Sequence, residues 1–419
     1  MALLRIVEAQ VSSFSLPDLL LILGGGAVAF LLSYLFTFGV IKFCTRFDLL
    51  DRPTKDRDRI HKKPVPRLGG VAIFLAFVVA SLIFYATNHE VKPDEMIRFI
   101  LLMAASLLLV AVHAYDDVRG MRALHKFIVQ SLAVVIILGP WNWHFYGIIL
   151  FGFSNPFGVA VEHPGLPWYQ QPIISILIHK PEITWLAIPA VIVTWFWFTG
   201  MTNTVNFVDG LDGLATGVVG ITGFFITIIS IYLGQYTIGL LAGIFTGAVL
   251  GFLPHNWSPA KIFMGDSGAQ FLGFMLAALS IMGGAKLALA LMVLGVPILD
   301  VAVIIVSRLR RGQSFAQPDT TSHLHYRLMA TGLNAKQICY IFYGLTTAFG
   351  ILALSLPKGV KIVGLLLVGA TMLFLTFWLD NLQKQREALL NSPRPPLSDE
   401  QESNPTGDER HHARLQTES

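Results

Sequence analysis

The sequence predicts an all-α polytopic membrane protein, built as a bundle of about 11 transmembrane helices. Hydrophobic residues make up 54% of the 419 residues and charged residues only 13%, whereas a typical soluble domain has roughly 25% charged residues. Apolar runs of about 20 residues, long enough to cross a bilayer core as helices, recur between short polar links. These runs are continuous, whereas the strands of a membrane β-barrel alternate, so a barrel is disfavoured.

The predicted spans are the stretches in which a window of about 20 residues is strongly apolar. The first span is not a cleaved signal peptide, because its apolar stretch is long and its positive charges, Lys42 and Arg46, follow it. In chain order the spans are 18–41, 70–87, 96–114, 127–139, 183–200, 214–233, 236–253, 268–283, 286–306, 338–355 and 361–379.

The distribution of Lys and Arg predicts the orientation of the bundle. Five links carry 18 Lys and Arg, and the opposite side carries 6. Since cytoplasmic loops are enriched in Lys and Arg, the five links are predicted to be cytoplasmic. The N-terminus then lies outside, and an odd number of spans puts the C-terminus in the cytoplasm. The five links are 42–69, 114–126, 200–213, 253–267 and 307–337.

Two segments lie outside the spans. Residues 380–419 contain too few apolar residues to form a core, so we expect a disordered cytoplasmic tail after a transmembrane domain at 1–379. The outer segment 140–182 is rich in Trp, Pro and Gly and is predicted to hold a short hairpin or an interfacial element.

Composition also limits the classes of partner and metal site. Cys44 and Cys339 lie near the ends of apolar runs and have no Cys or His at metal-binding spacing, which predicts a packing role for each. The net charge of +4 is too small to indicate nucleic-acid binding.

Ionisable groups at a membrane are costly, so acidic residues at the ends of spans are functional candidates. The first cluster, 113–117, holds the adjacent carboxylates of Asp116 and Asp117 at the end of the third span. Adjacent carboxylates repel each other, and this repulsion is tolerated when a cation shares the site. A solvated helix end is the alternative, although an acid at a helix C-terminus opposes the macrodipole.

The second cluster lies between the fifth and sixth spans. Its two amides and two carboxylates are accompanied by glycines, which allow tight turns and close approach to a ligand. The link contains no Lys or Arg to neutralise its acids. Such oxygen-rich sets suit Mg²⁺, which binds through one or two protein oxygens together with substrate phosphates. A turn with only a capping role is the alternative. The four side chains are Asn203, Asn206, Asp209 and Asp212.

Two further clusters lie on the same side. Asp266 and Ser267 precede the eighth span, where they could be functional or simply cap the helix. The segment 323–327 contains a His-x-His pair beside an Arg, which suits an anionic substrate, and an ordinary positive loop is the alternative. Charge counting places all four clusters on the cytoplasmic side and therefore predicts one composite site. A site that is acidic at its metal end and basic at its periphery suits phosphoryl-group chemistry.

These motifs resemble those of the polyprenyl-phosphate N-acetylhexosamine-1-phosphate transferases, of the glycosyltransferase 4 type. The resemblance covers the chain from about Arg59 to Leu333 and rests on six motifs that occur in the same order. They are Ile60-His-Lys-Lys-Pro-Val-Pro-Arg-Leu-Gly-Gly70, Asp116-Asp117, Lys126-Phe with Gln130, Asn203-x-x-Asn206-x-x-Asp-Gly-x-Asp-Gly, Gly265-Asp-Ser-Gly268 and His323-x-His325-x-Arg327.

The resemblance implies ten or eleven spans and a transfer reaction. A sugar 1-phosphate would pass from a UDP-sugar donor to a membrane polyprenyl phosphate, with release of UMP and with Mg²⁺ as cofactor or Mn²⁺ in its place. Direct displacement and an aspartyl-phosphate intermediate both stay open. The implied roles are metal binding for Asn206 and Asp266, catalysis for Asp116, Asp117, Asp209 and Asp212, and substrate binding for Lys126, Asn203, His323, His325 and Arg327.

Within the family, the last motif is similar to the branch that uses UDP-N-acetylglucosamine, but Tyr326 stands where a third His is usual. The resemblance therefore implies transfer of N-acetylglucosamine 1-phosphate to undecaprenyl phosphate, on the cytoplasmic face of the cell (inner) membrane, as the first membrane step of cell-envelope polysaccharide synthesis. The phospho-MurNAc-pentapeptide transferase of peptidoglycan synthesis is the alternative within the family. The expected partners are the UDP-sugar, the polyprenyl phosphate and membrane lipids, with a homodimer as one candidate assembly.

A secondary transporter, in which paired carboxylates couple cations to substrate movement, is the alternative from another class. Transporter sites usually lie near the bilayer midplane, whereas these clusters lie at one surface. Asp300 is predicted to lie within the membrane, about six residues inside the cytoplasmic end of the ninth span. It either supports the site from behind or pairs with a residue at the end of the span such as Arg308, and the sequence leaves both roles open.

Overall fold

The computed structural model describes residues 16–52, 64–141, 144–145, 147–150, 187–282, 287–310, 323–356 and 360–390. The described chain is largely helical, with two short antiparallel strand pairs. The helices are α1 (Leu16–Arg46), α2 (Gly69–Phe84), α3 (Pro93–Arg119), α4 (Ala123–Leu138), α5 (Ala187–Val208), α6 (Leu214–Tyr232), α7 (Tyr236–Asn256), α8 (Gly265–Ile281), α9 (Leu287–Val293), α10 (Gly295–Arg310), α11 (Leu324–Ala330), α12 (Ala335–Ser355) and α13 (Lys361–Leu390).

Within the described residues, each predicted span overlaps helical structure. The ninth span consists of two helices, α9 and α10, separated at Leu294, and α11 is an additional short helix before the tenth span. Among the described residues, α1, α3, α6, α7 and α12 are long and apolar enough to cross a membrane, and α2, α4 and parts of α10 and α13 are shorter apolar helices. The chain is therefore a helical membrane protein, while the number of spans and the orientation of the termini stay predictions.

Two predicted boundaries can be compared with the structure. Helix α13 continues to Leu390, beyond the predicted start of the tail at 380, so residues 380–390 are helical. The predicted tail at 391–419 lies outside the described residues. At the start of the outer segment, β3 (Pro140–Trp141) pairs with β4 (His144–Phe145) as a short hairpin. Between α1 and α2, β1 (Leu50–Asp51) pairs with β2 (Val65–Pro66).

Helices α1 and α7 pack through glycines. A Cβ atom on Gly247 would overlap the carbonyl of Gly26, and one on Gly251 would overlap the carbonyl of Phe30. Gly243, Gly247 and Gly251 are spaced four residues apart, so they line one face of α7. Small residues at this spacing let membrane helices approach closely, and van der Waals contact between the backbones then stabilises the pair.

Helix α8 is the centre of the bundle. It is surrounded by α2, α3, α5, α6 and α9. Within α8, all of whose residues are described, every residue except Asp266 is buried. The segment before α8 is fixed to the start of α2, because Gly70 donates its N–H to the carbonyl of Met264 at 2.8 Å and Phe263 donates to Pro66 at 2.8 Å. This packing sets the position at which α8 begins.

Candidate active site

The four polar clusters of the sequence come together at one end of the bundle. They lie at the end of α3, at the end of α5 with its following loop, at the start of α8, and at α11 with the residue before it, and Lys126 from the start of α4 joins them. Consecutive antiparallel helices place these ends side by side. All of the predicted site residues belong to the described part of the chain, whereas residues 60–63 of the first motif lie outside it.

An ammonium group joins two carboxylates at the centre of this site. Lys126 Nζ lies 2.6 Å from Asp116 Oδ2 and 2.5 Å from Asp266 Oδ2. The Asn206 amide donates to Asp266 Oδ1 at 3.3 Å. We call Asp116, Lys126, Asn206 and Asp266 the acidic cluster. Asp116 is buried, while the side chains of Lys126 and Asp266 are 28% and 22% exposed, so the cluster is reached from one side.

Asp117 has a different position from Asp116. Its carboxylate accepts the backbone N–H groups of Asp266 at 2.7 Å and of Ser267 at 3.1 Å, and the Ser267 hydroxyl at 2.7 Å. The first N–H groups of a helix have no partner within the helix, and a negative charge there complements the macrodipole. Asp117 therefore caps α8 from α3 and holds the backbone that carries Asp266.

Gly265 allows this close contact. Its φ is +72°, and a Cβ atom there would lie 2.5 Å from Asp117 Oδ2. A side chain at this position would be strained and would displace the carboxylate. The capping alternative for Asp266 is not what the structure shows, since the Asp266 side chain contacts Lys126 and Asn206. The carboxylate that caps the first turn belongs to Asp117.

Asn203 lies in an amide network behind the acidic cluster. It donates to Gln130 Oε1 at 3.0 Å and to the carbonyl of Thr199 at 2.8 Å. Gln130 in turn donates to Gln270 Oε1 at 2.8 Å. These bonds tie α4, α5 and α8 together within the bundle. Gln270 was not among the predicted site residues, although a lone amide inside an apolar span is a signal for such a role.

The loop that carries Asp209 and Asp212 is held from two sides. Asp212 Oδ2 accepts the N–H of Ala260 at 3.0 Å. Asn256 accepts the N–H of Gly213 at 3.1 Å, and Tyr343 donates to the carbonyl of Gly213 at 2.6 Å. Asn256 and Tyr343 were not predicted as site residues, because Gly213, their common partner, is distant from both in the chain. Their contacts fix the loop against α7 and α12.

Burial shapes the chemistry of Asp209. Removal from water raises the pKa of its carboxyl well above the ordinary value, the negative charge of Asp266 raises the pKa further, and Arg67 opposes the shift. This environment disfavours the charged form of the carboxyl compared with that of an exposed aspartate. Asp209 and Asp266 are thus two acids with different environments in one site.

Aromatic and imidazole rings form the other side of the site. The His323 ring stacks on Phe207 with centroids 5.3 Å apart and on His325 at 5.7 Å, and His325 contacts Tyr326 at 4.2 Å. We call these four residues the ring cluster. His325 Nε2 lies against Gly210, where a Cβ atom would overlap it. The ring cluster therefore contacts the loop between Asp209 and Asp212.

The two histidines of the ring cluster differ in their surroundings. Burial lowers the pKa of His325 to about 3, and the nearby His323 lowers it as well, so His325 is neutral at physiological pH. His325 Nε2 is buried without a hydrogen-bond partner among the described residues. Burial, followed by the charge of Asp209, raises the pKa of Tyr326. His325 can therefore bind a substrate by hydrogen bonding but not as a cation.

Asp300 and Arg327 anchor this side of the site. Asp300 Oδ2 lies 2.9 Å from His323 Nδ1, and Asp300 Oδ1 accepts the N–H of Leu324 at 2.9 Å. The sequence left two positions open for Asp300, behind the site or paired with a residue at the end of the span. The structure places it behind the site, in contact with His323 and Leu324. Arg327, predicted to bind substrate, donates to the carbonyl of Thr376 at 3.1 Å and so ties α11 to α13.

Among the residues that the structure describes, no three His, Cys, Asp or Glu side chains are grouped so that they could hold a metal ion together.

The site combines acids, a lysine and a capped helix start at one end of a helical membrane bundle. Such a combination is typical of an enzyme that acts on phosphate groups. The chain belongs to glycosyl transferase family 4, whose family model matches residues 99–284. It is a sugar-phosphate transferase by class, and membership of this family removes the transporter alternative.

Relatives of known name match most of the chain. It is 30% identical over 344 residues to a protein of Bacillus subtilis named probable undecaprenyl-phosphate N-acetylglucosaminyl 1-phosphate transferase, covering 80% of this chain and 85% of the relative. It is 30% identical over 347 residues to the decaprenyl-phosphate N-acetylglucosaminephosphotransferase of Mycobacterium tuberculosis, covering 76% and 78%. A phospho-N-acetylmuramoyl-pentapeptide-transferase of Staphylococcus aureus is 30% identical over 306 residues, covering 71% and 87%.

Proposed function

We propose that this protein transfers N-acetylglucosamine 1-phosphate from UDP-N-acetylglucosamine to undecaprenyl phosphate and releases UMP. The observation that carries the proposal is the acidic cluster, in which two carboxylates from different helices converge on one cation, the Lys126 ammonium. Such a place can hold the cations that phosphate transfer requires. The reaction is proposed to take place on the cytoplasmic face of the cell (inner) membrane, which the excess of Lys and Arg in the links on that side supports.

The acidic cluster fits Mg²⁺. Mg²⁺ is bound by one or two carboxylates together with substrate phosphates, and amide oxygens are also suitable ligands for hard cations. Asp116 Oδ1 is buried without a hydrogen-bond partner among the described residues, so a cation or donor that reaches it satisfies a costly isolated group. Asp266 and Asn206 are the proposed metal ligands. When bound, Mg²⁺ supplies positive charge that stabilises the diphosphate and the departing UMP.

In the proposed step an oxygen of the lipid phosphate attacks the phosphorus that carries the sugar. A new P–O bond forms, the P–O bond to UMP breaks, and UMP leaves with that electron pair. A phosphate monoester has a second pKa of about 6, so the lipid phosphate is already largely ionised. We therefore propose that Asp116 orients the lipid phosphate and that Lys126 contacts a phosphate oxygen. Asp117 keeps the start of α8 in place.

The loop 209–213 and the ring cluster are proposed to bind the donor. Asp209 and neutral His325 are proposed to form hydrogen bonds with the donor. The choice of N-acetylglucosamine rests on the likeness of the 323–327 motif to that branch and on the names of two relatives. A relative that uses a phospho-MurNAc-pentapeptide donor has the same identity of 30%, so overall similarity does not separate the two donors.

The test uses purified protein in detergent with undecaprenyl phosphate, Mg²⁺ and one donor at a time. The donors are UDP-N-acetylglucosamine, UDP-N-acetylgalactosamine and UDP-MurNAc-pentapeptide, and the readout is UMP release. We expect UMP from UDP-N-acetylglucosamine alone, dependent on both lipid and metal. UMP from the pentapeptide donor alone would overturn the proposed donor, and UMP release without added lipid would overturn the proposed acceptor.

A further inference from the structure

Asp300 forms two hydrogen bonds that join the broken ninth span to the ring cluster. It lies on α10 and is 9% exposed. One carboxylate oxygen is 2.9 Å from His323 Nδ1, and the other accepts the N–H of Leu324 at 2.9 Å. Both partners come from the start of α11, so one side chain fixes a ring and a backbone group together.

The chemistry of the carboxylate determines the state of the imidazole. An ionised carboxylate has only acceptors, so both partners must donate to it. Leu324 donates its N–H, and the hydrogen on His323 must therefore be on Nδ1. The other ring nitrogen, Nε2, is then the atom left for a further partner. The hydrogen bond made by one ring nitrogen in this way sets the role of the other.

The stacking contacts fix the plane of the same ring. His323 lies between Phe207 at 5.3 Å and His325 at 5.7 Å, with interplanar angles of 27° and 12°. Stacking restrains tilt, while the bond to Asp300 restrains rotation in the plane. The position of Nε2 is therefore set by contacts from α5, α10 and α11 together.

We propose that Asp300 is a positioning residue for the transfer reaction, which acts through His323 by holding the hydrogen on Nδ1 and presenting Nε2 to the sugar nucleotide. The inference rests on the proposed function, and it adds a residue that lies outside the motifs of the site. In chemical terms, Asp300 would fix the tautomer of the His323 imidazole, which lies beside the loop 209–213 that is proposed to bind the donor.

A second role for Asp300 competes with this one. The His323 side chain does not cap α11, and Asp300 satisfies the N–H of Leu324 in its place. Asp300 could therefore act only by capping a short helix. The two roles differ in one respect: positioning requires the His323 imidazole, whereas capping does not.

The test is a double-mutant cycle of Asp300→Asn with His323→Gln. Asn replaces one of the two carboxylate oxygens by an NH₂ group, so it cannot accept a hydrogen at both of the positions where Asp300 does. Gln at 323 can still donate to Asp300, which avoids an isolated buried carboxylate. We expect Asp300→Asn to lower kcat about 10- to 100-fold, by analogy with the loss of a partner that orients a metal-bound His. In the His323→Gln background the same change should alter kcat less than about 2-fold.

Equal losses in both backgrounds would overturn the proposal, because they would show that Asp300 acts without the imidazole. The second readout is independent of activity: nitrogen NMR of ¹⁵N-histidine-labelled protein, at alkaline pH where imidazoles are neutral. The His323 signals are assigned by their absence from the spectrum of His323→Gln. We expect His323 to carry its hydrogen on Nδ1 in the unmodified protein and on Nε2 in Asp300→Asn. An unchanged tautomer would also overturn the proposal. Failure of the proposed function is distinct, since it would appear as absent UMP release by the unmodified protein.

Discussion

The acidic cluster and the ring cluster lie at the same end of the bundle but are held in different ways. The acidic cluster is joined by charged contacts of 2.5 to 2.6 Å between α3, α4 and α8. The ring cluster is joined by ring contacts of 4.2 to 5.7 Å; His325 and Tyr326 lie on the short helix α11, and His323 directly precedes it. Asp300 and Arg327 attach that helix to α10 and α13.

This difference predicts different roles for the acidic cluster and the ring cluster. The geometry of the acidic cluster depends on long helices packed around α8, so it is part of the core of the bundle. The geometry of the ring cluster depends on a few polar contacts to a broken span. Substitutions in the acidic cluster should therefore affect chemistry directly, whereas substitutions around the ring cluster should act through the position of the donor.

The largest expected effect comes from Asp266→Asn. Removing this charge takes away part of the proposed metal site and one of the two carboxylate partners of Lys126, and charge stabilisation by a metal ion contributes several kcal/mol. Since about 1.4 kcal/mol corresponds to a factor of ten, we expect transfer to fall at least about 100-fold, measured as UMP release. Ser267→Ala, which removes one hydrogen bond next to it, serves as the control and should retain most activity. A well-folded Asp266→Asn protein with full activity would remove the acidic cluster from the mechanism.

The next prediction concerns the balance of charge in the acidic cluster. Lys126→Met leaves the carboxylates of Asp116 and Asp266 facing each other without the ammonium between them, and like charges at close range repel. We expect a lower melting temperature without metal and a larger stabilisation by added Mg²⁺ than in the unmodified protein. Transfer should fall as well, because the proposed phosphate contact is lost. Equal stabilisation of both proteins by Mg²⁺ would show that Lys126 and the metal do not use the same carboxylates.

A smaller effect is expected at the loop 209–213, which contacts the ring cluster through Gly210. Tyr343→Phe removes the hydroxyl that donates to the carbonyl of Gly213 and leaves the ring in place. A single hydrogen bond of this type contributes about 1 kcal/mol. We expect the KM for the donor to rise several-fold with little change in kcat, measured by steady-state UMP release at varied donor concentration. A fall in kcat at unchanged KM would contradict a role in holding the donor loop.

The smallest effect on activity is expected far from both clusters. In Gly247→Ala the new Cβ atom would overlap the carbonyl of Gly26, and such overpacking typically costs about 1–3 kcal/mol. We expect a lower thermal midpoint with unchanged kcat per folded molecule. Gly39→Ala is the matched control, because a Cβ atom there would meet nothing within 4 Å. Similar melting of the two variants would refute close packing between α1 and α7.

Sequence alone predicts the acidic cluster because its acids stand at the ends of apolar spans, where any charge is conspicuous. It does not predict that Asp117 caps α8, since that bond joins residues on separate helices. Asn256 and Tyr343 were missed for the same reason, because helix packing alone makes them neighbours of Gly213. The predicted tail begins at 380, whereas α13 continues to Leu390, because a polar composition does not by itself end a helix. Residues 383–390 contain Gln, Lys, Arg, Glu, Ala and Leu, which favour helix strongly.

The central position of α8 has a consequence for the way the protein meets bilayers of different thickness. With 17 residues α8 is about 25 Å long, shorter than a hydrocarbon core of about 30 Å. A lipid-facing helix of this length would suffer hydrophobic mismatch. Because neighbouring helices surround α8, they meet the lipid in its place, and the helix can begin below the surface of the bundle. Asp266 should therefore keep its depth within the protein as the surrounding membrane thickens or thins.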